Sequence, residues 1–166
     1  MDTFIPRYRR LVLLIVLLIT LSGLSCDQGL SPGSTAPYGL RGVVKFKHWP
    51  PVDSVLDLRI AVLQHYPVQN IPGEVLAGRA RYGDKLPYGV DSVSYTITLA
   101  PLPTGIIPFV GVAQRYGPDI QNDWRVVGEY YVNGDSTKPG TVHVPPDSII
   151  GNINIDVDFL NLPPQP

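Results

Sequence analysis

The chain is poor in cysteine and in charge. Of its 166 residues, one is cysteine, one is methionine and 16% are charged. A single thiol excludes an internal disulfide framework, so the fold must be held by its core alone. The three histidines, His48, His65 and His143, stand far apart and form no zinc-type pair. The formal charge is −1, without the clustered basic surface that nucleic acid requires. No segment after Cys26 carries a helical apolar period over 12 or more residues. What the chain has in plenty is punctuation, with 18 prolines and 16 glycines. They divide it into short segments and favour strands and turns over helices.

The first 25 residues differ from the rest. Arg7, Arg9 and Arg10 precede an apolar run from Leu11 to Ile19, and small or weakly polar residues lead to the lone Cys26. A basic start, a short apolar core and a small-residue end are the three parts of an export signal. A spanning helix needs about 20 apolar residues, and the interval between Arg10 and Cys26 is shorter and ends in poor membrane formers. Without residues 1–25 the chain keeps 13 − 3 = 10 basic and 14 − 1 = 13 acidic residues, a charge of −3.

The stretch Leu21-Ser22-Gly23-Leu24-Ser25-Cys26 resembles the lipobox of bacterial lipoproteins, with Ser25 at the cut and Gly23 off the usual pattern. The resemblance implies a signal peptide over 1–25, acylation of Cys26 and attachment to a bacterial membrane, on the periplasmic face or the cell surface. Two or three acyl chains would anchor firmly, at about 0.8 kcal/mol per buried methylene. Residues 26–39 then read as the lipidated cysteine and a Gly/Ser/Pro-rich tether.

From residue 40 to 160 the pattern is that of strands. Val44 and Phe46 alternate with Lys45 and Lys47, and Trp49-Pro50-Pro51 ends that run. Leu56, Leu58, Ile60 and Val62 share one face. Residues 65–90 form a long excursion with a short strand expected near 75–80. Val93, Tyr95, Ile97 and Leu99 alternate with serines and threonines. Further strands are expected at 109–114, with Val110 and Val112 on one side, at 124–132, with Trp124 on a core face, and at 141–144. Asn133-Gly134 marks a turn. In the last run Ile153, Ile155, Val157 and Phe159 point inward and Asn152, Asn154, Asp156 and Asp158 outward. Residues 161–166 read as a tail. The expectation is an all-β, single antiparallel β-sandwich of seven to eight strands.

Three pieces carry a family resemblance: Gly42-Val43-Val44 with Pro50-Pro51; Tyr95 to Leu99, Pro103-Thr104-Gly105 and Phe109 to Val112; and Thr141 to Val144 with Ile153 to Phe159. Together they resemble the carboxypeptidase-regulatory-like, or prealbumin-like, β-sandwich. The run also resembles small lipoproteins of the Bacteroidota type. Both resemblances imply a non-catalytic module and no cofactor.

Candidate sites are few. Gly29-Leu30-Ser31-Pro32-Gly33 matches the serine-hydrolase string but lacks the strand and helix that give the motif meaning. Trp49, Tyr66 and Tyr88 are candidate ligand contacts, because aromatic rings offer apolar area with a polar handle. Asp156 and Asp158 are candidate calcium ligands. Side chains two apart on a strand are about 7 Å apart at their bases, so a loop carboxylate such as Asp119, Asp123 or Asp135 would have to assist. The leading expectation is a membrane-anchored envelope lipoprotein acting as a structural or interaction module, with an envelope protein or glycan as partner. The alternative is an accessory domain that binds a glycan or calcium.

Overall fold

A computed structural model describes residues 36–68 and 70–165. Cys26, the expected export signal and most of the expected tether lie outside the described residues. Among the described residues there are ten strands: β1 (Gly39–Lys47), β2 (Asp57–Leu63), β3 (Ala80–Lys85), β4 (Ser92–Thr98), β5 (Gly105–Ile107), β6 (Phe109–Arg115), β7 (Trp124–Glu129), β8 (Val142–Val144), β9 (Ile149–Ile150) and β10 (Ile155–Asp158). Among the same residues an α-helix, α1 (Ile71–Leu76), interrupts them.

The strands form an open, sandwich-like all-β arrangement. The first sheet has the order β10-β1-β4, with β9 also on β1, and the second has the order β3-β2-β6-β7. A small β5-β8 pair adds buried Ile107, Val142 and Val144 to the same core. Two features differ from the expected seven- or eight-stranded antiparallel sandwich. Among the described residues the strand count is ten, because the long final run breaks into β9 and β10 and a short extra strand, β5, forms at Gly105–Ile107. Both of these pair with β1 in parallel, Leu40 opposite Ile150 and Phe46 opposite Val157. The opening and closing segments therefore lie side by side.

Alternation explains the main core. In β4, Tyr95 and Ile97 are buried while Ser92, Ser94, Thr96 and Thr98 face solvent. Val44 and Phe46 of β1, and Ile155 and Val157 of β10, point to the same interior. From the second sheet Leu58, Ile60, Val62, Val110 and Val112 meet them. Burying each such side chain stabilises by roughly 1.5–3 kcal/mol. The sheets approach closely at β7 and β10. A Cβ on Gly128 would come within 2.7 Å of the Val157 side chain and 2.9 Å of the Asp156 carbonyl. Any larger residue there would push the sheets apart.

The second sheet is also covered on its outer face. Leu63, Val68, Ala80, Phe109 and Val126 make a smaller core, against which Tyr66, Ile71 and Val75 pack. The 64–79 excursion thus folds back over the sheet. Its central element is a helix at 71–76, where a strand near 75–80 was expected. Asn70 starts it by accepting the Gly73 N–H on Oδ1 at 2.8 Å, and Pro72 sits in the first turn, where no N–H is needed. The strand follows only at Ala80. The expected turn is present at Asn133 and Gly134, with φ of 55° and 75°.

Both ends of the domain are more firmly placed than their composition suggests. Strand β1 starts at Gly39, and the Tyr38 hydroxyl donates to the Leu102 carbonyl. At the other end Leu162 packs against the core. Gln165 pairs with the open edge of β7: Oε1 accepts the Val126 N–H at 2.8 Å and Nε2 donates to the Val126 carbonyl at 3.0 Å. One side-chain amide thereby closes one residue of a strand edge that is otherwise open to intermolecular pairing.

Candidate functional site

Three of the sequence candidates converge on one end of the first sheet. After β1 the chain turns at His48, which takes φ 56°. This turn lays Trp49 against Phe46, Tyr88 and Phe159, with ring centroids 4.6, 4.9 and 4.8 Å away. The Trp49 indole N–H donates to the Val90 carbonyl at 2.9 Å, and the Tyr88 hydroxyl donates to the Pro50 carbonyl at 2.7 Å. The polar handles that would orient a ligand here are engaged within the protein. Trp49 is half-buried and serves as a plug for the open end of the core. Tyr88 keeps an exposed ring face. Tyr66 lies elsewhere, stacked on Phe109 at 5.2 Å over the second sheet.

Asp158 joins the same end. Its Oδ1 accepts from Leu160 N–H at 3.0 Å and lies 2.7 Å from His48 Nδ1, while Oδ2 accepts from Asn161 Nδ2 at 2.9 Å. The Asn161 amide, then His48 and the Leu160 N–H, hold its carboxyl down to about 2. Asp158 is the hub of the turn that ends β10. Asp156 points to solvent one pleat away. Parallel pairing sets Lys45 beside Asp156 and Lys47 beside Asp158. The acidic face read as a possible cation site is therefore interleaved with ammonium groups of the neighbouring strand, a complementary pattern that needs no ion. Asn154 has a structural task as well: its Oδ1 accepts the Val43 N–H at 3.0 Å across the gap between β9 and β10. Asp119 and Asp123 bond within their own loop, and Asp135 holds Thr137. Among the described residues no three His, Cys, Asp or Glu side chains are grouped to hold a metal.

The concave surface lies instead on the outer face of the second sheet, between α1 and the ends of β3, β6 and β7. A groove of about 360 Å³ has Ala61, Ala113, Ile71 and Val75 among its walls, with Tyr82, Ile120 and Trp124 beside them. A second depression of about 460 Å³ shares Ile71, Pro72, Gln121 and Trp124 with it and continues past Asn122, Arg125 and Gln165. Trp124 was expected in the core by its alternation with Val126. The structure places it half-buried on the surface between these two hollows, its indole N–H bonded to the Ile120 carbonyl at 2.8 Å. Trp124 and Val126 share a face, as their alternation indicated, but it is the outer face of the second sheet, where Val126 joins the smaller core and Trp124 borders the groove. Trp49 and Trp124 thus exchange the roles read from the sequence.

No family model matches this chain, and neither does any curated protein or solved structure.

Two arginines mark the groove. Arg59 bonds Asp57 Oδ2 through Nε at 2.9 Å and lies over the Tyr82 ring at 5.1 Å. Arg115 stands opposite Asp57 in the ladder, but both Asp57 oxygens are engaged, Oδ1 by the Leu58 N–H. Among the described residues the buried Nε of Arg115 has no hydrogen-bond partner. No sequence signal pointed to this residue, since its role depends on which carboxylate the ladder sets beside it.

A second buried charge lies on the same sheet. Glu129 is 3% exposed, and its Oε1 has no partner among the described residues. Burial pushes its carboxyl up, partly opposed by a hydrogen bond from Tyr131. Burial and the nearby Glu129 in turn push the Tyr131 hydroxyl up to about 12.

Proposed function

We propose that this protein is an exported lipoprotein, anchored to a bacterial membrane through acylated Cys26, whose β domain is a non-enzymatic structural or interaction module of the cell envelope. The observation that carries this reading is the position of the lone thiol. Cys26 lies between a basic-then-apolar run and a Gly/Ser/Pro-rich stretch, and among the described residues Tyr38 is the first side chain packed into the domain. An export signal, a single cysteine and a spacer before a folded unit are the parts a tethered module needs. Among the described residues no helix is long and apolar enough to cross a membrane.

We assign the sandwich to the prealbumin-like type. The assignment is supported by the Pro-x-Gly unit: Tyr95–Leu99 and Phe109–Val112 lie in opposite sheets, and residues 101–107 cross between them. The alternative, an accessory domain for a glycan or calcium, draws its support, in its glycan form, from the exposed ring of Tyr88.

The test is mass spectrometry of the membrane-associated protein. The expected mature chain starts at Cys26 and carries the mass of the acyl chains, and Cys26→Ser leaves the membrane fraction. A membrane-bound chain that retains Met1 would overturn the reading.

A further inference from the structure

The groove on the outer face of the second sheet has a property that the aromatic end of the first sheet lacks: its polar and apolar groups are left unmatched. Its charged lining consists of Arg59, Arg115 and Asp57, two guanidiniums to one carboxylate. The carboxylate is committed to Arg59 and to a backbone N–H. A buried guanidinium nitrogen without an acceptor is costly, and a carboxylate satisfies it with a charge-assisted and often bidentate bond. The apolar surroundings are equally unpaired. Leu76, Ile120 and Tyr82 around the groove are 81%, 66% and 50% exposed. Large apolar side chains concentrated around one hollow mark an interaction surface.

We propose that this groove captures the C-terminal end of a peptide whose last residue is apolar. The final side chain lies on the floor of Ala61, Ala113 and Val75, and the free carboxylate meets Arg115. The preceding residues run past Trp124 and Gln121 into the second depression, whose lining includes the amides of Asn70, Asn122 and Gln165 and the Arg125 guanidinium. A peptide fits this sequence of surfaces better than a sugar or a fatty acid does. A sugar has no use for an aliphatic floor beside a lone guanidinium, and an acyl chain has no use for the polar continuation. A hollow of about 360 Å³ is at the small end of ligand-site volumes and suits one side chain with its carboxylate. The proposal deepens the interaction-module reading and rests on it, because the partner it implies is another protein of the envelope.

The test is calorimetric titration of the full chain in non-ionic detergent micelles with acetyl-Gly-Ser-Gly-Ala-Leu, as the free acid and as the C-terminal amide. Octanoate and maltohexaose are titrated in parallel. The free acid is expected to bind at least about tenfold more tightly than the amide. Arg115→Gln is expected to bring the free acid down to the affinity of the amide. Leu76→Ser, at an exposed position, is expected to weaken the free acid several-fold with an unchanged unfolding midpoint. Equal binding of acid and amide, binding indifferent to both variants, or no heat from the free acid up to about 5 mM overturns the proposal. Octanoate or maltohexaose binding as tightly as the peptide overturns it in favour of a lipid or glycan ligand. Failure here leaves the processing of Cys26 unaffected, so the two readings fail separately.

Discussion

The Tyr95 hydroxyl donates to the Ile153 carbonyl at 2.7 Å, so a side chain of β4 holds the segment that leads into β10. The phenol passes over β1 at Gly42, which is opposite Tyr95 in the ladder. The Ile153 carbonyl sits directly on Gly42, where a Cβ would collide with it. Burial pushes the phenol's pKa up, so the group stays protonated and remains a donor. The missing side chain and the hydroxyl together fix where the closing strand lands.

Two substitutions separate these contributions. Tyr95→Phe removes the donor and leaves a buried carbonyl unsatisfied, an expected loss of about 1–2 kcal/mol. Gly42→Ala forces the closing segment away from β1, an expected loss of about 3 kcal/mol. Urea unfolding followed by circular dichroism measures both. A loss for Gly42→Ala smaller than that for Tyr95→Phe would show that the segment shifts freely.

Acid stability should depend on Asp158. Its folded carboxyl titrates at about 2, below the ordinary aspartate range near 3.9. Its contribution is therefore present above that range and is lost as pH falls toward about 2. Asp158→Asn is expected to lower the urea midpoint at neutral pH and to flatten its fall between about pH 4 and pH 2. Parallel curves for the two proteins over that interval would contradict the role given to the turn.

Glu129 has the opposite sign. Its folded carboxyl is raised, so the fold prefers it protonated. Its contribution is highest in acid and is lost as pH rises past the ordinary glutamate range near 4.3. Glu129→Gln keeps the shape and removes the charge, an expected gain of about 1 kcal/mol at pH 8 that shrinks toward pH 4. The difference between the two unfolding free energies across that interval measures it. A variant less stable than the parent at pH 8 would mean that the carboxylate is engaged by a partner.

The strand content was legible wherever one face is wet. At Tyr95, Ile97 and Leu99 the serines and threonines between them mark the solvent side, and the structure follows that alternation residue by residue. Ile153, Ile155 and Val157 were legible for the same reason. The pattern misled where a strand is covered on both sides. Trp124 was read as core because it alternates with Val126, and the two do share a face, but it is the outer face of the second sheet, where Val126 is covered and Trp124 borders the groove. Trp49 was read as exposed because prolines flank it, yet the turn at His48 lays it back onto Phe46.

The sequence by itself determined the local matters: the segmentation by proline and glycine, the alternation within each strand, and the place of the lone cysteine between an apolar run and a Gly/Ser/Pro-rich stretch. Each depends on residues that are neighbours in the chain. Only the tertiary structure decided the parallel placement of β9 and β10 on β1, the covering of the second sheet by α1, and the burial of Arg115 Nε and Glu129 Oε1 without a hydrogen-bond partner among the described residues. These depend on contacts between residues distant in sequence, such as the 58 positions from Tyr95 to Ile153. No local period encodes them, because they follow from which of several compatible apolar faces meet.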